Sequence, residues 1–273
     1  MLGGGYTAPV TVSRPIAPDV VDRVATLLAG ADSALFITGA GISADSGLPT
    51  YRGVGGLYNR TDTEDGIPIE HALSGQMFNV RPELTWKYIY QIESACRSAR
   101  PNRAHEIMAA LEERLDRVWV LTQNVDGFHI AAGSQNVIEI HGSIRELRCT
   151  RCAWSQTVDD YGGLGEQTPR CPECRAVVRP DVVLFGELLF MDRLATLQAE
   201  LARGFDMVFS IGTTSVFPYI AEPVVAASRA GKPTVEINPQ ESEVSHLVDH
   251  RLRAGARDAL EAVWRAYLAI VDN

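Results

Sequence analysis

Short apolar runs alternate with stretches of helical periodicity along most of this chain. Residues 34–38 form an apolar run that ends at Gly39, which is typical of a strand buried in a parallel sheet. Further apolar runs lie at 117–122, 136–140, 207–211 and 233–237. Helical spacing of apolar residues covers 19–30, 102–115, 191–203, 218–230 and about 256–271. This alternation predicts an α/β fold with a doubly wound parallel sheet and right-handed connections.

Two stretches interrupt this alternation. Residues 44–100 open with a loop rich in Gly and Pro and continue into a helical pattern with Trp and Tyr over 82–98, and residues 148–179 hold four cysteines. We predict that both leave the sheet and together form a smaller inserted domain, with a helical part at 44–100 and a cysteine-bearing part at 148–179. The large domain is then built from about 18–43, 101–147 and 180–273.

Composition narrows the function classes. The 273 residues include 25 basic and 34 acidic side chains, a net charge of −9, which argues against a general binder of nucleic acid or of anionic membranes. The sequence has no apolar run of the roughly 18 residues that a membrane span needs, and residues 1–14 do not resemble a secretory leader. We therefore expect a cytoplasmic protein.

A glycine motif follows the first apolar run. Residues 39–44 read Gly-Ala-Gly-Ile-Ser-Ala, which matches the dinucleotide fingerprint G-x-G-x-x-G/A of Rossmann-like folds. By itself the match is weak, because a strand-to-helix turn without a ligand produces the same letters. Residues 45–53 are too rich in turn formers for the long helix of a standard dehydrogenase, which points away from hydride transfer.

Polar side chains follow several of the predicted strands. They are Gln123, Asn124 and Asp126 after one run, His141 after the next, Gly212, Thr213 and Thr214 after a third, and Asn238 after a fourth. In open α/β sheets the carboxyl ends of the strands line one crevice, so these groups are expected to converge on a ligand. An imidazole there suits general-base chemistry, because it titrates near neutral pH.

The cysteine spacing predicts a metal site. Cys149 and Cys152 form one C-x-x-C pair, and Cys171 and Cys174 form a second pair after 18 intervening residues. This is the spacing of a structural zinc ribbon, in which four thiolates close the coordination shell and leave no place for a catalytic water. Two redox pairs are the competing interpretation. We assign no role to Cys96, and we interpret His105 and His129 as a packed residue and a loop-orienting residue.

Together these motifs resemble the sirtuins, the NAD-dependent protein-lysine deacylases. The resemblance begins near residue 20 and reaches the last helix; it is carried by GAGISADSGLPTYRG at 39–53, TQNVDGFH at 122–129, HGS at 141–143, the four cysteines, PDVVLFGE at 180–187, GTTS at 212–215 and INPQ at 237–240. It implies a Rossmann-type large domain, a small zinc-bearing domain, and a cleft between them where NAD and an extended acyl-lysine segment meet.

The resemblance also implies roles for individual residues. Those expected to bind NAD are Gly39, Ala40, Gly41, Ile42, Tyr51, Arg52, Gln123, Asn124, Asp126, Gly212, Thr213, Thr214, Asn238 and Ala256. His141 is the expected general base, acting with Asn124 and Asp126 in catalysis. Val183, Phe185, Gly186 and Glu187 belong to a segment that is expected to pair with the substrate backbone as an added strand.

Two departures from the family pattern affect these expectations. Tyr51 stands where the family usually has Phe, which keeps the ring that shields the ribose. Members that remove succinyl or malonyl groups carry Tyr-x-x-Arg in the small-domain helix, and those two places fall here on Ile89 and Ile92. We therefore expect a preference for acetyl or longer neutral acyl groups over succinyl and malonyl groups.

Two other functions remain open from the sequence. The same cleft could transfer ADP-ribose to a protein or to water, and the identity of the product separates this activity from deacylation. A non-catalytic NAD-binding sensing module is the alternative from another class, although such a module has no need of Asn124, Asp126 and His141 together.

Overall fold

The core of the protein is a six-stranded, wholly parallel sheet. The computed structural model describes residues 16–49, 63–165 and 168–273. Their strands are β1 (Ser33–Thr38), β2 (Arg117–Thr122), β3 (Val137–Glu139), β4 (Gly142–Cys149), β5 (Ser155–Thr157), β6 (Val178–Val182), β7 (Met207–Ile211), β8 (Thr234–Ile237) and β9 (His250–Leu252). The large sheet has the order β3-β2-β1-β7-β8-β9. The chain order reverses between β1 and β7, which makes their carboxyl ends the switch point where such sheets bind ligands.

Helices cover both faces of this sheet. The helices of the described residues are α1 (Pro18–Ala29), α2 (Ala40–Ala44), α3 (Ile69–Ala72), α4 (Gly75–Val80), α5 (Pro82–Ser98), α6 (Arg103–Leu111), α7 (Phe128–Ala131), α8 (Met191–Arg203), α9 (Pro218–Arg229) and α10 (Ala256–Val271). Residues of α1, α6 and α10 share one apolar core with Phe36 and Phe209, while residues of α8 and α9 share another with Leu35 and Ile37. The predicted doubly wound α/β class is confirmed, because successive side chains of β1 enter opposite cores.

A third apolar core lies outside the large sheet. It joins helices α3 to α5 to the antiparallel three-stranded sheet β5-β4-β6, which carries the cysteine segment. The indole of Trp86 on α5 donates a hydrogen bond to the Val178 carbonyl of β6 at 2.9 Å. Ile144 and Leu147, which precede the cysteine segment on β4, also belong to this core. The two excursions from the sheet therefore pack on each other, while the domain boundaries given above stay a prediction.

Some elements differ from the sequence prediction. Strand β9 was not expected, because His250–Leu252 has three residues and two of them are polar. The helix after β1 spans Ala40–Ala44, a single short turn, as the turn-rich sequence that follows indicates. No helix within the described parts of the chain has both the length and the apolar character needed to cross a membrane.

Candidate active site

The loops after β1 and β7 touch through their backbones. The N–H of Gly41 donates to the Gly212 carbonyl at 2.8 Å. A Cβ on Gly39 would lie 2.8 Å from that carbonyl oxygen, and a Cβ on Gly41 would lie 2.6 Å from the Gly212 Cα. Gly212 itself has φ +58°, in the left-handed region. The fingerprint glycines are thus required by contact between two loops, before any phosphate is considered.

Hydrogen bonds connect the polar groups at three further strand ends. The Gln123 amide, after β2, donates to the Thr213 hydroxyl at 2.7 Å. The Asn238 amide, after β8, donates to the Thr213 carbonyl at 2.9 Å. The neighbouring Thr214 is exposed. The structure therefore brings Gln123, Thr213 and Asn238 together at the switch point, as the sequence predicts for a shared crevice.

Asn124 and Asp126 lie in a second network on the same crevice. The Asn124 amide donates to the Gly39 carbonyl at 3.1 Å, and the Ser43 hydroxyl donates to Asp126 Oδ2 at 2.8 Å. The Phe128 N–H donates to Asp126 Oδ1 at 3.0 Å. Burial raises the pKa of Asp126 above its usual range, while these two hydrogen bonds to the carboxylate act in the opposite direction. The amide and the carboxyl group are therefore held in place by the fold before a ligand arrives.

His141 directly precedes β4 and meets the crevice at Gln123. Its Nδ1 is 3.0 Å from the Gln123 carbonyl, and its Nε2 is 2.7 Å from the Tyr219 hydroxyl. A carbonyl only accepts, so Nδ1 carries the proton and Nε2 keeps the lone pair. Burial lowers the pKa of His141 below its ordinary value, which keeps the ring neutral at pH 7. His141 thus has the protonation state that a general base needs.

A small apolar cleft of about 50 Å³ opens beside this site. Its walls are Leu73, Ile89, Ile92, Val125, Ile144, Pro180, Val182, Val183, Leu184 and Phe185. The described residues that line the cleft include no charged side chain. Ile89 and Ile92, the two positions that the sequence resemblance matches to the Tyr-x-x-Arg motif, both contribute to the wall.

The segment at 183–187 is anchored by a partly buried ion pair. Both terminal nitrogens of Arg179 donate to the Glu187 carboxylate, at 2.6 and 2.8 Å. The Phe185 carbonyl accepts from the Gly75 N–H at 3.1 Å. A Cβ on Gly75 would approach the Glu187 Cγ to 2.8 Å, so the small residue is needed for this contact. Glu187 therefore fixes the shape of the segment, since bidentate pairs of this kind impose a defined geometry.

The four paired cysteines form one cluster in the small sheet. Cys149 and Cys174 have their sulfur atoms 3.4 Å apart, those of Cys152 and Cys171 are 3.6 Å apart, and all four lie within 4.8 Å of one another. Zinc bound by four thiolates at about 2.3 Å places the sulfurs about 3.8 Å apart. The cluster fits a structural zinc ion, and a free coordination position for catalysis is not expected.

Two histidines lie buried beneath the crevice. His105 Nδ1 accepts from the Asn102 N–H at 3.2 Å, and His129 Nε2 is 3.0 Å from the Thr38 hydroxyl. The rings are 4.9 Å apart, and within the described residues neither His105 Nε2 nor His129 Nδ1 has a hydrogen-bond partner. Burial lowers the pKa of His105 to about 4 and that of His129 well below its ordinary value. Both rings are therefore neutral in the folded protein.

We expect His105 to make the protein sensitive to acid. In the unfolded state His105 takes up a proton below its ordinary pKa of 6.5, whereas in the folded state it stays neutral down to about pH 4. The free energy of unfolding therefore falls as the pH drops through this window. Gln is a preferred residue at this helix position and preserves the capping box while removing the titration. Between pH 7 and pH 5, the unfolding free energy of the unsubstituted protein should fall about 2 kcal/mol more than that of His105→Gln. Equal losses in urea titrations at the two pH values would contradict this assignment.

Of the residues assigned to NAD binding from the sequence, Tyr51 and Arg52 lie outside the described residues. Ile42 has a fully buried side chain in the first apolar core, so it can meet a ligand through its backbone alone. Ala256 is similarly buried at the first turn of α10.

Two residues of the site were missed in the sequence. Ser43, which bonds the Asp126 carboxylate, lies inside the fingerprint, so its position next to the recognised glycines was an available signal. Tyr219 is 78 positions from His141 along the chain. No local pattern links these two residues, and packing of α9 against the sheet brings them together.

Cys96 received no role from the sequence. Burial raises the pKa of its thiol to about 12, consistent with an inert side chain.

Comparisons with known proteins identify the family. The Sir2 family model matches residues 39–218. An NAD-dependent protein deacylase 2 of Pseudomonas aeruginosa is 48% identical over 250 residues, which are 89% of this chain and 95% of that protein. A solved Sir2 homologue in complex with NAD is 36% identical with a TM-score of 0.80, covering 91% of this chain and 94% of its own.

A second solved structure contains a peptide. It is a Sir2 protein with a deacetylated p53 peptide and 3′-O-acetyl ADP ribose, 29% identical with a TM-score of 0.81, covering 90% of this chain and 97% of its own. The match of the family model over most of the chain, together with these relatives, confirms the resemblance found in the sequence. This chain is a member of the Sir2 family, with relatives that are NAD-dependent protein deacylases.

Proposed function

We propose that this protein is an NAD-dependent protein-lysine deacetylase that releases nicotinamide, O-acetyl-ADP-ribose and the free lysine. The observation that supports this most directly is the neutral His141, with its Nε2 lone pair fixed by the Gln123 carbonyl, on the same crevice as Asn124 and Asp126. A binding module needs polar contacts, but it has no need of a positioned base. The relatives named as deacylases favour the same reaction.

The site residues have different roles in the proposed reaction. The amide oxygen of an acyl-lysine is a weak nucleophile, so the site must favour departure of nicotinamide and stabilise positive charge on the ribose carbon while water is kept out. Asp126 and Asn124, with their hydrogen bonds already made, are placed to hold the nicotinamide riboside in the geometry that reacts. His141 then takes a proton from a ribose hydroxyl, which attacks the imidate formed with the acyl oxygen. Collapse of this adduct releases the lysine amine, and water adds to the remaining cyclic acyl group to give O-acetyl-ADP-ribose.

A peptide substrate can add as a strand along exposed backbone. Gly186, Leu188 and Val216 are exposed. No backbone hydrogen bond of these three residues is present among those of the described residues. Their N–H and C=O groups are available to pair with an extended peptide, which would give affinity through the main chain and tolerate many sequences. Relative Sir2 proteins that hold p53 peptides support a protein substrate of this kind.

The acyl group is expected to enter the apolar cleft. Ile89 and Ile92 provide neither a positive charge nor a hydrogen-bond donor, so a succinyl or malonyl carboxylate would lose its hydration there without a partner. Transfer of an uncompensated charge of this kind is costly, and we expect kcat/KM for an acetylated peptide to exceed that for its succinylated counterpart by at least about 100-fold. Neutral acyl chains longer than acetyl should be accepted. Comparable turnover of acetyl and succinyl versions of one peptide would refute this preference.

The reaction itself is tested by its stoichiometry. Purified protein is incubated with NAD and an acetyl-lysine peptide, and mass spectrometry measures deacetylated peptide, nicotinamide and acyl-ADP-ribose. Equal amounts of the three products support the proposal. Nicotinamide without deacetylated peptide would indicate ADP-ribosyl transfer or NAD hydrolysis instead, and no nicotinamide at all would favour a non-catalytic NAD-binding module. A cytoplasmic location, and the absence of nucleic-acid and membrane partners, stay predictions of the sequence.

A further inference from the structure

We infer that the Tyr219 hydroxyl occupies the general base of this site until the ribose hydroxyl displaces it, after nicotinamide has left. The inference rests on the proposed function, since it concerns the nitrogen that takes the ribose proton. Tyr219 Oη lies 2.7 Å from His141 Nε2. This is the distance of a good hydrogen bond between a hydroxyl and an imidazole nitrogen.

Nε2 of the neutral imidazole can accept only one hydrogen bond in the ring plane. Nδ1 donates to the Gln123 carbonyl at 3.0 Å, so Nε2 has the one lone pair that lies in the ring plane. The Tyr219 hydroxyl donates its hydrogen bond to that lone pair. Burial raises the pKa of Tyr219 to about 12, so the hydroxyl keeps its proton at neutral pH. A ribose hydroxyl that approaches Nε2 within hydrogen-bond distance therefore has to replace Tyr219 Oη.

The position of Tyr219 in the fold indicates how it can leave. It lies in the first turn of α9, directly after Pro218, where the helix fixes its backbone. Its ring stacks on Phe217 with centroids 5.5 Å apart and planes 12° apart, and both rings meet His141 edge-on at 5.9 Å. Phe217 is exposed at 37%, so this aromatic pair borders solvent. Rotation of the Tyr219 side chain toward the open side frees Nε2 without moving the helix.

This role affects one half of the reaction. Departure of nicotinamide, and its reversal by added nicotinamide, precede the step that uses the base. Proton transfer from the ribose to Nε2 comes later and requires that Tyr219 has moved away. Loss of the hydroxyl should therefore change deacetylation and leave the exchange of nicotinamide into NAD unchanged.

The test compares Tyr219→Phe with the unsubstituted protein. Phe keeps the ring and its stacking but cannot donate to Nε2. We expect kcat/KM for deacetylation of an acetyl-lysine peptide to rise about 2- to 10-fold, the factor that corresponds to one net hydrogen bond. The incorporation of labelled nicotinamide into NAD, measured with the same peptide, should stay unchanged. Tyr267→Phe, which removes a buried hydroxyl from α10, is the matched control and should leave both rates as they are.

Each other outcome overturns the inference in a recognisable way. A fall in deacetylation with intact exchange would mean that the hydroxyl carries the proton rather than holding its place. Equal changes in both reactions would mean that Tyr219 supports the fold alone, and retained exchange serves as the internal check that Tyr219→Phe is folded. If the unsubstituted protein releases nicotinamide but leaves the peptide acetylated, the proposed function fails, and with it the need for a base at Nε2.

Discussion

Replacement of His141 by Ala should reduce deacetylation by about 10²- to 10⁴-fold, the contribution typical of a general base. The ribose hydroxyl would then have no partner to accept its proton, because the lone pair at Nε2 is lost together with the ring. Nicotinamide exchange should persist within a few-fold of the original rate, since that step precedes use of the base. The measurement is the ratio of the two rates with an acetyl-lysine peptide.

A second histidine provides the control for this experiment. His246 is exposed in the loop between β8 and β9, so His246→Ala should leave both rates unchanged. If His141→Ala deacetylated the peptide at the original rate, the imidazole would have no part in catalysis. A parallel loss of exchange and deacetylation would instead show that the ring serves to build the NAD site, through its hydrogen bond to the Gln123 carbonyl.

The second large effect is expected at the cysteine cluster. Cys171 is fully buried at the junction of the cluster with the small-domain core. Cys171→Ser removes one of four thiolates, and the free energy of zinc binding is also free energy of folding for a lobe held by the ion. We expect loss of bound zinc and a stability loss of at least about 3 kcal/mol, or a melting temperature lower by about 10 °C.

The fifth cysteine distinguishes metal loss from general core damage. Cys96 lies in the same apolar core but outside the cluster, so Cys96→Ala should retain one zinc per chain while losing some packing energy. Zinc content by atomic spectroscopy and melting curves measured on both variants separate the two effects. Retained zinc and an unchanged melting temperature in Cys171→Ser would rule out the structural role.

Much of the fold follows from patterns that are local in the sequence. The predicted boundaries of α5, α8 and α10 agree with Pro82–Ser98, Met191–Arg203 and Ala256–Val271, because each helix has a regular apolar stripe and clear end signals. Strand β9 was missed because three residues do not establish a periodicity, and its neighbour β8 supplies the pairing that defines it. The small three-stranded sheet was also not predicted, because β5 has three exposed residues and β6 pairs with β4 from a distant part of the chain.

The candidate site shows the same contrast between local sequence patterns and tertiary contacts. The sequence by itself determined the class of fold, the glycine fingerprint, the cysteine ligands and the position of His141, because each depends on residue type and on spacing along the chain. The tertiary structure decided that the Ser43 hydroxyl donates to the Asp126 carboxylate and that the Tyr219 hydroxyl hydrogen-bonds to Nε2 of His141. It also decided that Ile89 and Ile92 line the same cleft as Val183. These contacts join residues that are far apart in the chain or on different elements. They arise when helices and loops pack on the sheet, and periodicity within one element contains no information about the partner it will meet.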